Sequence, residues 1–102
     1  MNDSTPIEVI NNPGAHRFEV ELEGAVAHLD YRRAPGDKLV LVHTEVPRQF
    51  QGRGVAAKLA QAALEYARQS RLRVVPRCEF VLSYLRRNPQ YMDLVDTSTK
   101  PA

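Results

Sequence analysis

The sequence predicts an α+β domain, a mixed and mostly antiparallel sheet with two main helices, and three observations lead there. In the first half, apolar and polar residues alternate with a period of two, the pattern of strands with one wet face. From Gly54 the period lengthens to three and four, the pattern of an amphipathic helix. A short apolar segment and a second helical stretch follow. One helix therefore lies between two strands, and such a connection crosses over to a parallel neighbour.

The elements follow in chain order. A short strand is expected around Ile7 to Ile10, ended by Asn11-Asn12-Pro13-Gly14. In the next segment His16, Phe18, Val20 and Leu22 share one face while Arg17, Glu19 and Glu21 share the other. Glu23-Gly24 makes a tight turn, and Ala25, Ala27, Leu29 and Tyr31 repeat the alternation, which predicts an antiparallel hairpin. After the turn at Pro35-Gly36-Asp37, the run Leu39 to Val46 is more thoroughly apolar and is expected to be central in the sheet. Between Gly54 and Ser70, Val55, Leu59, Ala63 and Tyr66 form the apolar stripe; Glu65 and Arg68 are spaced for an ion pair on the wet side. Leu72 to Pro76 is a strand ended by proline, and Cys78 to Arg87 a shorter helix stopped by Asn88-Pro89.

Composition sets the broad class. At 102 residues the chain is read as one domain, 1–102, with frayed ends at 1–5 and 96–102. Apolar residues make up 43% and charged residues 25%, enough for a single modest core. A net charge of +2 permits nucleic acid as a partner without demanding it. The fourteen lysines and arginines are spread along the chain rather than clustered with aromatics, which argues against a nucleic-acid-binding domain. The single cysteine, Cys78, excludes an internal disulfide and fits a reducing compartment. No segment approaches the roughly 18 apolar residues of a membrane span, and the first residues carry neither a basic nor an apolar run. The expectation is a soluble, cytoplasmic protein, and no spacing of residues points to a metal.

The stretch that carries chemistry joins the apolar strand to the first helix. Two glycines one residue apart, Gly52 and Gly54, let the backbone approach a ligand, and the free N–H groups of a helix's first turn attract phosphate. A P-loop is excluded, because Lys58 follows Ala57 and precedes Leu59. The dinucleotide pattern is met literally by Gly52, Gly54 and Ala57, but that pattern opens a parallel unit in a longer fold, and antiparallel hairpins come first here. A third pattern is glutamine or arginine, two residues, glycine, one residue, glycine or alanine. It is met by Gln49, Gly52 and Gly54.

That third pattern, set between Val46-Pro47 and a helix, resembles the acetyl-CoA loop of the GNAT N-acetyltransferase superfamily. The segments Leu41 to Pro47, Gln51 to Gly54, Ala62 to Ala67, Val74 to Cys78 and Arg87 to Tyr91 resemble, in that order, the small single-domain YjdJ-like N-acetyltransferases. The resemblance implies a compact fold in which the strand before the loop splays from a parallel neighbour. It implies acetyl-CoA as the acyl donor, with its pyrophosphate on the N–H groups of Gln51, Gly52, Arg53, Gly54, Val55 and Ala56. Gly52 and Gly54 are then required because a Cβ would obstruct that approach. The pantetheine would lie along Thr44 to Pro47, including Val46, opposite Val74 to Pro76. Arg87 and Asn88, with Arg86, are candidates for the CoA phosphates or for solvating the helix end.

Acyl transfer to an amine needs a base, and a donor or polarising group for the leaving thiolate. His43 is the candidate base, its alternative being a packed strand residue. Cys78, beside Arg77 at a helix start, is either an acyl-accepting nucleophile or a lining residue, and direct transfer to the amine ranks first. Tyr84 resembles the superfamily's proton-donating tyrosine, although Asn88-Pro89 departs from the usual pattern, and it also reads as a core aromatic. Glu45 falls on His43's side of the strand. The superfamily's two helices after the first strand have no counterpart, since only Asn11 to Gly14 stands there. An open acceptor side suits a peptide or protein amine, or a polyamine; the alternative function is a non-catalytic acyl-CoA-binding module.

Overall fold

The computed structural model describes residues 7–97. Five strands form one sheet in the order of the chain, β1 (Ile10–Asn12), β2 (Arg17–Leu22), β3 (Ala25–Ala34), β4 (Lys38–Glu45) and β5 (Arg73–Pro76). The first four are antiparallel, and β5 joins β4 in parallel through helix α1 (Val55–Gln69), the crossover expected of a strand-helix-strand unit. A second helix, α2 (Glu79–Arg87), follows, and a 3-10 segment, Pro89–Leu94, ends the described fold. Because sheet order equals chain order, β3 is the middle strand, and β4 lies inside the sheet between β3 and β5, as its apolar run suggested.

The first strand lies later than expected. Asn11 and Asn12 are in β1, paired with Phe18 and Arg17, because Tyr31 donates to the Asn11 amide oxygen at 2.7 Å and Asn12 donates to Glu19 at 3.2 Å. His16 leaves the strand alternation altogether. It closes the 3-10 turn Pro13–Ala15 in the left-handed region, φ 57°, and is exposed. That turn and His16 are all that separate β1 from β2.

One face of the sheet is apolar and covered. Phe18, Val20 and Leu22, Ala27, Leu29 and Tyr31, Leu39 and Leu41 join Leu59, Ala63 and Leu64 of α1 and Val81 and Leu85 of α2 in one core. The helix stripe was legible, with Val55, Leu59 and Ala63 buried and Tyr66 half-buried against Phe18 and Tyr31. The proposed Glu65–Arg68 pair gives way to tertiary partners: Glu65 accepts from the Tyr91 hydroxyl at 2.7 Å, and Arg68 binds both oxygens of Asp93 at 3.1 Å. Asp96, expected to begin a frayed tail, donates its N–H to Val74 at 2.8 Å and pairs with Lys38 at 3.1 Å. The rest of the expected frays, 1–5 and 98–102, lies outside the described residues.

Two irregularities in β4 position the site. Its parallel pairing with β5 runs only from Lys38↔Arg73 to Leu41↔Pro76, and the Arg77 N–H donates to Leu41 as a last rung at 2.9 Å. Beyond Leu41, β4 keeps β3 on one side and loses β5 on the other. At the same point the β3 register slips, Asp30↔His43 being followed by Tyr31↔Leu41, so Val42 is an extra, bulged residue.

Candidate active site

The bulge decides which face each side chain of β4 takes. In an unbroken strand, Leu39, Leu41 and His43 would share the core side, and Thr44 the other. The extra residue reverses this. His43 pairs with Asp30 on the polar face, and Thr44 pairs with the core residue Leu29 on the helix side. The His43 side chain is 59% exposed, with Nε2 3.3 Å from a Glu45 carboxylate oxygen, so the expected neighbour Glu45 is in place. His28, Asp30, Arg17 and Glu19 continue that polar face, with His28 Nδ1 2.9 Å from Asp30 and Arg17 3.5 Å from both Asp30 and Glu19.

On the helix side, Thr44 Oγ1 lies 3.1 Å from Cys78 Sγ. Cys78 is the N-cap residue of α2 and only 7% exposed. The structure therefore brings Cys78 together with Thr44 and places His43 on the opposite face of the strand, so the two candidate catalytic residues do not meet.

The glycine loop lies just beyond. After Glu45 the chain makes a 3-10 turn, Arg48–Phe50, and reaches Gly54, the N-cap of α1. Gly52 and Gly54 take φ of 84° and 78°, a region that residues with a Cβ rarely adopt. A Cβ built on either meets nothing within 4 Å, so the glycines are required by backbone conformation and not by crowding inside the protein. The start of α1 has neither a side-chain cap nor an acidic residue in its first turn. Its N–H groups have no intrahelical acceptors and keep a positive field for an anion.

This helix start opens on a cavity of ≈ 290 Å³, near the lower end of ligand pockets. Of the residues expected to hold a ligand, Val46, Gln51, Gly52, Gly54, Val55, Ala56 and Arg87 line it. Arg87, in the last turn of α2, is the one charged residue of the lining, and an arginine there is a donor set that fits a phosphate. Gln51 ties the loop to the strand by donating to the Val46 carbonyl at 3.4 Å. The remaining expected residues stand outside the lining, Thr44 among them, whose hydroxyl meets Cys78 instead. Gln49 is exposed in the 3-10 turn. Arg53 lies 5.4 Å over the Phe50 ring and 3.9 Å from Glu23. The Asn88 side chain caps α2 by donating to the Tyr84 carbonyl at 2.9 Å.

Three lining residues escaped the sequence reading: Phe50, Ala57 and Phe80. Phe50 was the most legible of them, an aromatic among the polar residues Gln49, Gln51 and Arg53, and it is fully buried. Phe80 stacks on Tyr84 with ring centroids 6.4 Å apart, and Tyr84 in turn lies 6.3 Å from Tyr91. Burial pushes the Tyr84 hydroxyl above the usual tyrosine range, with Glu65 adding to it, so it remains a phenol at neutral pH.

Comparison with known proteins agrees with this geometry. Residues 17–94 match the model of the GCN5-related N-acetyl-transferase family. The chain is 36% identical over 100 residues to Protein NATD1 of Xenopus tropicalis, covering 91% of this chain and 89% of that one. It is 34% identical over 100 residues to human Protein NATD1, covering 91% and 86%. An NMR solution structure of a GCN5-like protein from Staphylococcus aureus superposes with a TM-score of 0.70 at 26% identity, covering 90% of each chain. With an uncapped glycine loop between a splayed parallel pair and a family match over most of its length, the chain belongs to the GCN5-related N-acetyltransferase family.

Proposed function

We propose that this protein is an acetyl-CoA-dependent N-acetyltransferase whose acceptor is an exposed amine of a peptide, a protein or a polyamine. The observation that carries the reading is the start of α1. There a helix without a side-chain cap, preceded by two glycines of positive φ, opens on a cavity beside the point where β4 and β5 part. Phosphate favours such a terminus, and Arg87 adds a second positive group. The apolar lining, Val46, Phe50, Val55 and Phe80, suits a pantetheine arm, and the edge of β4 beyond Leu41 offers backbone groups that β5 does not use.

His43, exposed and paired with Glu45, is the base on the polar face for an amine arriving from solvent. The short Pro13–Ala15 turn leaves that approach open, which suits an amine on a large or extended molecule. A reducing cytoplasm is the setting in which the single thiol stays free.

Titration calorimetry with CoA, followed by incubation with acetyl-CoA and a panel of peptides and polyamines and mass analysis of the products, tests the reading. It expects saturable CoA binding and an acetylated amine. Absence of CoA binding refutes the site. Binding with no transfer to any amine favours the non-catalytic acyl-CoA-binding module, a reading to which the separation of His43 from the cavity side of β4 lends weight.

A further inference from the structure

The amine of a lysine side chain, whose ordinary pKa is about 10.4, is an ammonium in neutral water. Its acetylation therefore strips two protons from the nitrogen, one before the lone pair can attack and one as the amide forms. His43 accounts for one acceptor. The polar face of the sheet holds a second histidine, His28 of β3, and it is the more firmly set of the two. Its side chain is 17% exposed against 59% for His43, and its Nδ1 lies 2.9 Å from Asp30 Oδ1. Arg17 Nε is 3.5 Å from the same oxygen, so the carboxylate is held from two sides. An ionised carboxylate only accepts, so Nδ1 carries the hydrogen and Nε2 keeps a lone pair. Among the described residues nothing pairs with that Nε2.

The register gives both histidines their neighbours. His28 stands between Glu19 of β2 and Glu45 of β4, and Asp30 between Arg17 and His43. Side chains directly opposite on one face have Cβ atoms about 4.5–5.5 Å apart, so the two histidines occupy one diagonal of a square whose other corners are Asp30 and Glu45. Three carboxylates, Glu19, Asp30 and Glu45, face one guanidinium, Arg17, a balance that draws a cation. His43 is on β4, the wall of the gap that opens beyond Leu41, and His28 is one strand behind it. We infer that His28, oriented by Asp30, takes the proton of the incoming ammonium, and that His43 takes the second proton as the amide forms. The inference rests on the acetyltransferase reading of this site. In the first step the ammonium N–H bond breaks, its electron pair stays on nitrogen, and the proton passes to His28 Nε2 and on to water. In the second the nitrogen attacks the thioester carbonyl carbon, the carbon–nitrogen bond forms and the bond to the CoA sulfur breaks. The nitrogen gives its second proton to His43, and one proton ends on the sulfur as the free thiol. Asp30 is a positioning residue, fixing the tautomer and the ring.

The test is the pH dependence of acetylation by His28→Gln, whose amide can still bond Asp30 but offers no base, with the best acceptor of the panel and saturating acetyl-CoA. The readout is kcat/KM for the acceptor, as a ratio to wild type. Below the acceptor's own pKa, about 10.4 for a lysine side chain and about 8 for an α-amine, the variant is expected to be roughly tenfold or more slower. The deficit closes as pH rises through that value, because the amine then arrives without its extra proton. Asp30→Asn, which leaves His28 in place with its tautomer unfixed, is expected to show a deficit that closes in the same way. Both variants should bind CoA as wild type does. A histidine that merely packed on the face would leave a deficit that is flat with pH. A flat deficit, or a His28→Gln protein as fast as wild type at pH 7, overturns the inference and leaves the acetyltransferase reading standing. Should His28→Gln fail to fold, Asp30→Asn carries the comparison. A wild type that binds no CoA, or that binds it and acetylates no amine, removes the acetyltransferase reading and this inference together.

Discussion

Gly54 separates two roles that a loop glycine can have, backbone conformation and room for a ligand. Its φ is 78°, and a Cβ there meets no atom within 4 Å, so a substitution is opposed by the backbone alone. Placing an L-residue in the left-handed region costs about 1–2 kcal/mol. Restricting the unfolded chain returns about 0.4–1 kcal/mol of that. A net loss of about 1 kcal/mol lowers the melting temperature of a domain this size by about 4–8 °C. Gly54→Ala is therefore expected to melt that much lower, and Gly54→Asn less so, since asparagine visits this region more readily. Gly54→Glu adds a carboxylate at the helix start. Against a pyrophosphate charge about 4 Å away this is worth about 1 kcal/mol in bulk water and about 4 kcal/mol near a protein surface, a rise in Kd of roughly fivefold to several hundredfold. Melting followed by circular dichroism and calorimetry with CoA read the two effects separately. A folded Gly54→Glu protein with wild-type CoA affinity refutes the anion site, and a Gly54→Ala protein with the wild-type melting temperature refutes the backbone argument.

His43→Ala should lower kcat by roughly a hundredfold while leaving CoA affinity unchanged, as checked by steady-state kinetics on the best acceptor of the panel; equal rates would remove His43 from the chemistry. Phe50→Ala, which empties a fully buried ring position in the wall of the cavity, should destabilise the fold by about 3–5 kcal/mol in urea unfolding. Tyr91 is raised above its ordinary value of 10.0, first by its hydrogen bond to Glu65 and then by burial, so its contribution is fully present below pH 10 and is lost as pH climbs through the raised value. Tyr91→Phe should therefore be less stable at neutral pH by about 1–3 kcal/mol and lose less further stability above pH 10, which melting curves across that range would show.

Much of the architecture was legible because it rests on period and punctuation. The alternation through Phe18, Val20 and Leu22, the stripe of Val55, Leu59 and Ala63, and the turns at Gly24 and Gly36 are local signals, and each names a face that the fold then buries. The glycine loop belongs with them, since positive φ at Gly52 and Gly54 is a property of those residues and their neighbours. The tertiary structure alone decided what depends on pairing. Glu65 and Arg68, spaced to meet one another, each found a better partner in the 3-10 segment after α2. Phe80 reached the cavity through the packing of α2, which no spacing within that helix encodes. Above all, the sheet register set the faces of β4. No residue in Leu41 to Pro47 announces a bulge, because a bulge is a mismatch between two strands and only the partner strand can reveal it. That one extra residue, Val42, carried His43 out to the polar face and brought Thr44 to the thiol.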